Sequence, residues 1–350
     1  MKIYTDEDSS LEPLDGKTIA ILGYGNQGRA QALNLRDSGM KVVVGNQQDS
    51  YREQAVADGF DPMTISEAAT IADFLIILTT DESQPLIWEG QIAPGISAGN
   101  TLVWASGYNV GYGLISPSSE VDVVLVAPRM TGNFVRTLFE QGRGAVAQVA
   151  VHQDASGEAW ARMMAVAKGI GATRAGVFES SFREEAELDL FAEQVVWAGL
   201  VAWFEECFKL GVEHGFSPEL MVLELYGSGE AAEILGMMAR NGFYKQMAHH
   251  STTSQYGTLS RAPRLLNDEI RAIMRESLVH DIQGGAFTEE WRREQASGSK
   301  TLAELKEEAL NSAMSEAEQA VMRLMQGTDR SSRLNPHRPP RSSKNSCLEK

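Results

Sequence analysis

Residues 17–39 read KTIAILGYGNQGRAQALNLRDSG. After Lys17, the run TIAIL is short, largely apolar and rich in β-branched residues. The glycines Gly23, Gly25 and Gly28 then stand in a GxGxxG pattern, and an Ala- and Leu-rich helical pattern follows up to Ser38. A strand, a glycine turn and a helix in that order make a phosphate cradle. The glycines permit a tight turn and close approach of a pyrophosphate, and the helix N-terminus offers free amides. The bland alternative, a glycine-rich surface turn, lacks this strand and helix context. A nicotinamide dinucleotide is therefore the expected cofactor.

Working outward, short apolar runs alternate with helical patterns: KVVVG, a helical 50–58, FLIILTT, TLVWAS and VDVVLVAP. Such interleaving predicts parallel βαβ units and a doubly wound parallel sheet, an α/β Rossmann domain over 1–182. From Arg183 the texture changes to long helical patterns rich in Leu, Met, Ala and Glu (183–213, 218–240, 262–282, 301–326), which predicts an all-α domain over 183–327. The segment 328–350 is polar, proline-containing and locally basic, and reads as a disordered tail.

The chain has 350 residues, 43% hydrophobic and 22% charged, with a formal charge of −16. That balance fits a globular protein and disfavours nucleic acid or anionic membrane as partner. Two cysteines make no disulfide framework, so a reducing, cytoplasmic setting is expected. No leader pattern and no run of about 18 apolar residues is present.

After the second strand, Asn46, Gln47, Gln48, Asp49 and Ser50 come where the cofactor's adenosine ribose is sensed, and Arg52 is the one nearby cation. A 2′-phosphate wants cations, whereas a 2′-hydroxyl is served by acidic or amide groups, so NAD(H) is favoured over NADP(H). Asp49 serves equally well as a cap for the helix that begins at Ser50.

The segment EEAELDLFAEQ, 184–194, places Asp189 and Glu193 four apart among apolar residues. On a helix both carboxylates share one face. Taken alone, the pair reads as a solvated face or an ion pair with Arg183.

GYGNQGRAQALNLRDSG, VVVG, DESQ (81–84), VAPR, GIGATRAGVFESSFREEAELDLFAEQ, GVEHGFSPELMVLE and STTSQYG (251–257) together resemble, in order and spacing, the short form of ketol-acid reductoisomerase, also called acetohydroxyacid isomeroreductase. The resemblance runs from residue 1 to about 327. It implies a knotted helical domain after the Rossmann domain, a self-associating chain whose active site is shared between subunits, Mg2+ (two ions in the family), a nicotinamide cofactor and a small acid substrate. The family's usual reaction shifts an alkyl group in a 2-acetyl-2-hydroxy acid and reduces the resulting keto group.

Carried over by position, the resemblance implies that Asp189, Glu193 and, from the partner subunit, Glu224 bind metal. It likewise implies that Ser251 meets substrate, and that Tyr24, Asn26, Gln27, Asp81, Glu82, Ser83, Gln84 and Gly132 meet cofactor.

The chain departs from the family at the catalytic positions. Ser106 in WASGYN stands where the family has histidine. APRMTGN puts Arg129 for a lysine, Met130 and Thr131 for Gly-Pro, and Asn133 for histidine. Ser228 replaces a carboxylate one turn after Glu224. Serine does not titrate near neutrality, so Ser106 can orient a hydroxyl but cannot buffer protons as imidazole does. The preserved cofactor and metal motifs beside these changes predict a retooled site rather than an inert scaffold.

The chain resembles what a specialised branch of the family would need, one that closes a cyclopropanol ring on a 2,3-dihydroxy acid carrying a dimethylsulfonium group. Oxidation at C2 acidifies C3, the enediolate displaces dimethyl sulfide, and the hydride returns to C2. Trp104, Tyr108, Trp197 and Tyr226 lie near the motifs, and Trp197 and Tyr226 are the favoured aromatic faces for the sulfonium cation. Ordinary branched-chain amino-acid synthesis is the alternative.

Overall fold

In the computed structural model of the protein, which describes residues 2–326, the run TIAIL forms β2 (Thr18–Leu22), every residue of it buried. It lies in an eight-stranded sheet of order β1-β8-β7-β6-β5-β4-β2-β3. The predicted runs supply β3 (Lys41–Gly45), β4 (Phe74–Ile77), β5 (Thr101–Trp104) and β6 (Asp122–Pro128), and these five strands are mutually parallel.

Both faces of these strands are covered, which is why they read as continuous apolar runs rather than alternating ones. Ile19, Ile21, Ile76, Val103 and Val124 face one layer, with Leu35 of the helix Asn26–Asp37 and Met163 of the helix Ala159–Gly169. Leu22, Leu75, Ile77, Leu102 and Trp104 face the other, with Ile65 and Ala68 of the helix Ile65–Ile71 and with Trp88. Helices on both faces make the sheet doubly wound.

Three further strands complete the sheet. β7 (Ala147–Gln153) runs antiparallel to β6, β8 (Val177–Glu179) runs parallel to β7, and the two-residue β1 (Ile3–Tyr4) closes the edge antiparallel to β8. The sheet is thus mixed at that side.

From β2 the chain passes to β3 on one flank and then to β4 on the other, so the strand order reverses at β2. In open α/β sheets that reversal leaves a crevice at the carboxyl ends of the strands, where ligands bind. Gly23 sits at this point, its amide donating to Gly45 O at 2.9 Å.

The chain divides into two compact units, Met1–Ala192 with Leu278–Thr288, and Glu193–Ser277 with the described residues from Glu289 on. The second is helical. Its small core gathers Phe208, Val222, Ala317 and Val321, while Trp197, Val201, Phe216, Leu220, Phe243 and Tyr256 are exposed. Turns of π-helix interrupt its helices at Ala192–Trp197 and Leu223–Gly227, the segments that carry Glu193 and Glu224. Such widened turns cost hydrogen-bond geometry and concentrate at functional sites. Among the described residues no helix is long and apolar enough to cross a membrane. The tail expected over 328–350 lies outside the described residues.

Candidate active site

The phosphate loop is shaped by backbone contacts that only glycine allows. Gly23 has φ +97°, and a Cβ there would lie 2.8 Å from Thr79 N. A Cβ on Gly28 would lie 1.9 Å from Gly23 O, and one on Gly132 would lie 2.0 Å from Asn26 O. At Gly25, the N-cap of the helix Asn26–Asp37, nothing stands within 4 Å of a built Cβ. Gly28 and Gly132 therefore close the loop, while Gly25 keeps open the space in front of the helix amides.

The loop after β6 is pinned onto this turn. Gln27 Nε2 donates to Met130 O at 2.8 Å, and the Asn133 amide donates to Asn26 Oδ1 at 3.0 Å. Asn26, Gln27 and Gly132 thus meet. A cavity of about 400 Å³ opens beside them, lined by Gly25, Asn26, Arg29, Ser50, Gly132 and Arg136 among others. Both arginines are ion-paired, Arg29 with Asp58 at 2.6 Å and Arg136 with Asp37 at 2.7 Å.

Several neighbouring side chains are tied to the protein's own groups. The Tyr24 ring is buried and its hydroxyl donates to Asp58 at 3.0 Å, while its amide donates to Asn46 Oδ1 at 2.8 Å. Asp49 caps the helix Ser50–Ala57, accepting from the amides of Tyr51 and Arg52, and also accepts from Asn46 Nδ2. Arg52 donates to the carbonyls of Asn46, Pro62 and Met63. Gln47 and Ser50 are exposed.

The DESQ turn after β4 meets the WASGYN turn after β5. Ser106 Oγ donates to Asp81 Oδ2 at 3.2 Å, and Asn109 Nδ2 donates to Asp81 O at 3.0 Å. Gln84 is buried and accepts from Trp104 Nε1 and Asn109 Nδ2. Glu82 is exposed, and Ser83 Oγ donates to Thr80 O at 2.9 Å. Trp104 and Tyr108 are both core residues, the first packed against Trp88 and Phe182 and the second against Tyr112.

A charge relay ties these turns to the helix Phe182–Phe191. Glu185, 2% exposed, accepts from the Gly107 amide at 2.6 Å through one oxygen and from Arg129 Nη1 at 2.7 Å through the other. The second arm of the same guanidinium holds Asp189. Asp189 therefore does pair with an arginine, but with Arg129. Arg183 instead pairs with Glu187 at 2.5 Å and lies 4.0 Å over the Tyr112 ring. Glu185 had no sequence signal beyond its place one helical turn before Asp189, because the amide and the guanidinium that define it arrive from distant strands.

Burial pushes the Glu185 carboxyl up to about 7, helped by the negative charges of Asp189 and Asp81 and opposed by the Gly107 amide and Arg129. A carboxyl whose pKa is raised by folding stabilises the fold while protonated. That contribution is fully present below the ordinary value of 4.5 and is lost as pH rises through about 7. We expect the melting temperature of Glu185→Gln, measured with chelator present, to gain on that of the unsubstituted protein between pH 5 and pH 8. A difference that stays constant across this range would contradict the assignment.

In the helical unit, Glu224 is exposed and borders a cleft of about 560 Å³ that also includes Met238, Met247, His250 and Ser254. Ser251 caps the helix Thr252–Leu265, accepting from the Ser254 amide at 3.2 Å. Ser228 accepts from the Glu230 amide, Glu193 and Trp197 are exposed, and Tyr226 is half-buried and stacked on Phe204 at 5.9 Å. Among the described residues, no group of three or more His, Cys, Asp or Glu is gathered closely enough to hold a metal ion.

Residues 13–176 match the family described as acetohydroxy acid isomeroreductase, NADPH-binding domain, and residues 182–327 match the ketol-acid reductoisomerase C-terminal domain. The chain is 46% identical over 310 residues to a ketol-acid reductoisomerase (NADP(+)) of Pyrobaculum islandicum, covering 88% of this chain and 93% of that one. A counterpart from Pyrobaculum aerophilum is 42% identical over 328 residues, covering 93% and 99%. Among solved structures, an NADH-preferring ketol-acid reductoisomerase from an uncultured archaeon superposes with a TM-score of 0.88 at 34% identity, over 93% of this chain and 99% of that one. An NAD(P)-binding Rossmann-like domain followed by a helical domain, with matches running through both, makes this chain an oxidoreductase/isomerase of the ketol-acid reductoisomerase family.

Proposed function

We propose that the protein is a Mg2+-dependent, NAD(H)-preferring member of this family with a remodelled active site. Its substrate is a 2,3-dihydroxy acid bearing a sulfonium group, converted to a cyclopropanol acid by oxidation at C2, ring closure with loss of dimethyl sulfide, and re-reduction. The observation that carries the reading is the convergence of altered and preserved residues. Arg129, one of the departures, holds the preserved Asp189 directly, and Glu185 links it to the Gly107 amide next to Ser106, another departure. A departure that bonds directly to a preserved carboxylate, as Arg129 does, favours a retooled site over loss of function by drift.

The donor chemistry suits the metal. Asp189, Glu193 and Glu224 offer only oxygen, the ligand type that Mg2+ takes. When bound at such carboxylates, Mg2+ polarises the oxygens of a chelating 2-hydroxy or 2-oxo acid. The chain's own residues do the rest. The glycine turn and helix amides receive the pyrophosphate, and Ser106 orients a hydroxyl through Asp81. Arg129 adds a fixed positive charge beside the carboxylates. The exposed Trp197 offers an aromatic face to a cation, and Tyr226 offers the face not covered by Phe204.

Preference for NAD(H) is supported by the pairing of Arg29, Arg52 and Arg136 with protein groups, which leaves a 2′-phosphate to displace an existing partner. The NADH preference named for the archaeal structure points the same way. Self-association, with Glu224 contributed across the interface, is supported by the exposed apolar side chains of the helical unit.

A second reading, conversion of 2-acetolactate to 2,3-dihydroxyisovalerate, is favoured by 42–46% identity to proteins named for that family. Incubation with 2-acetolactate, Mg2+ and either NADH or NADPH separates the two. We expect little or no reduced product and tighter binding of NADH than of NADPH. Turnover at the rates typical of metabolic enzymes, roughly 1–1000 s⁻¹, would overturn the remodelled-site reading.

A further inference from the structure

The Glu185–Arg129–Asp189 group is asymmetric in a way that predicts movement. Arg129 follows β6, and its own amide is fixed by a hydrogen bond to Val146 O at 2.8 Å, so only its side chain is free to shift. One arm of the guanidinium reaches Glu185, whose side chain is 2% exposed and whose other oxygen is already held by Gly107. The other arm reaches Asp189, whose side chain is 45% exposed. Breaking the inner pair would strand a buried carboxylate without its cation, which is costly. Breaking the outer pair returns a half-exposed carboxylate to water, where ion pairs contribute little. A competitor for Asp189 therefore removes the outer contact and leaves the inner one.

We propose that Arg129 is a latch on Asp189: without metal its outer arm holds the carboxylate, and a divalent cation takes Asp189 from it, leaving Arg129 anchored on Glu185 with outer N–H groups free for an anionic ligand. The inference rests on the reading of Asp189 as a metal ligand. The forked guanidinium is what makes the device work. It spans two carboxylates with separate donors, whereas an ammonium is a point charge that cannot hold both with the same geometry. Freed N–H groups beside the metal ligand match a carboxylate of an acid substrate, the group a bidentate arginine recognises. Arg129 thus acts on the metal as a positioning residue, through Asp189.

The latch lowers metal affinity, because the cation must displace an ion pair and approach a positive charge. Calorimetric titration of Mg2+ into the full-length protein saturated with NAD+ tests this, with Arg129→Gln and Arg129→Lys beside the unsubstituted chain. We expect Arg129→Gln to bind Mg2+ about tenfold more tightly, equivalent to about 1.4 kcal/mol. Arg129→Lys should bind it more tightly by a smaller factor, since the buried Glu185 retains the ammonium and Asp189 is left open. Thermal unfolding gives a second readout, in which Mg2+ should raise the melting temperature of Arg129→Gln more than that of the unsubstituted chain. If Arg129→Gln does not fold, the lysine variant carries the test alone. Equal or weaker Mg2+ binding in the variants would overturn the latch and leave the metal reading standing. No Mg2+ binding by any of the three proteins would overturn both.

Discussion

Asp189→Asn is expected to lower Mg2+-dependent turnover by more than about 100-fold, since even groups that only support metal ligands cost 10–100-fold when lost. The amide keeps the shape of the side chain but removes the charge a hard cation requires. NADH affinity should change little. The cofactor region is built from the glycine turn, the loop at Met130–Asn133 and the cavity beside them, which are held together by their own hydrogen bonds. Arg129 retains Glu185 as a partner in the variant, so the scaffold stays paired. Steady-state rates at saturating Mg2+, with NADH binding followed by fluorescence, check both halves. Unchanged turnover would remove Asp189 from the metal site, and a parallel loss of NADH binding would mean that the two regions are not separable.

The glycine turn gives the second large effect, and there the motif's members should behave differently. At Gly28 an added methyl would stand 1.9 Å from Gly23 O, a distance that forces the backbone apart. Gly28→Ala is expected to destabilise the fold by about 1–3 kcal/mol, as overpacking does, and to abolish NADH binding. At Gly25 the built Cβ meets nothing within 4 Å and φ is −70°, so Gly25→Ala should fold with near-normal stability. Its methyl nevertheless projects into the space that a pyrophosphate must enter, so NADH should bind at least about tenfold more weakly. Chemical denaturation and NADH titration of both variants distinguish closure of the turn from access to it. Equal effects on stability would show that the two glycines do the same job.

These contrasts indicate what the sequence made legible. TIAIL, KVVVG, FLII, TLVW and DVVLVAP are apolar beyond their first residue or nearly so and become the parallel strands, because strands covered on both faces show an apolar run rather than alternation. AQVAVHQ and VFE are short or mixed in polarity. They form β7 and β8 at the less completely buried side of the sheet, where the pattern carries less information, and the sheet's antiparallel turn enters with them. Glycine spacing marked the tight turn between β2 and its helix, but not that Gly132, more than a hundred residues on, packs against Asn26 there.

The same limit applies at the active site. Helical spacing put Asp189 and Glu193 on one face, yet the α-helix ends at Phe191 and Glu193 lies in the π-helical turn Ala192–Trp197. Arg129 was visible as a departure from a family pattern. Its role as a bridge was not, since Glu185 lies 56 residues away and Asp189 60 residues away in sequence. Local periodicity identifies which residues share a face. The strand ends that converge on that face are set by topology, and Gly107 and Arg129 reach the helix from the ends of β5 and β6 for that reason.

A redox-neutral ring closure at the remodelled site is decided by supplying a 2,3-dihydroxy acid with a terminal dimethylsulfonium group, together with Mg2+ and substoichiometric NAD+. Dimethyl sulfide and the cyclopropanol acid should form in equal amounts, in excess of the cofactor, without net accumulation of NADH, because the hydride removed at C2 returns to C2. Absence of dimethyl sulfide, or its release only in step with NADH accumulation, would contradict the account.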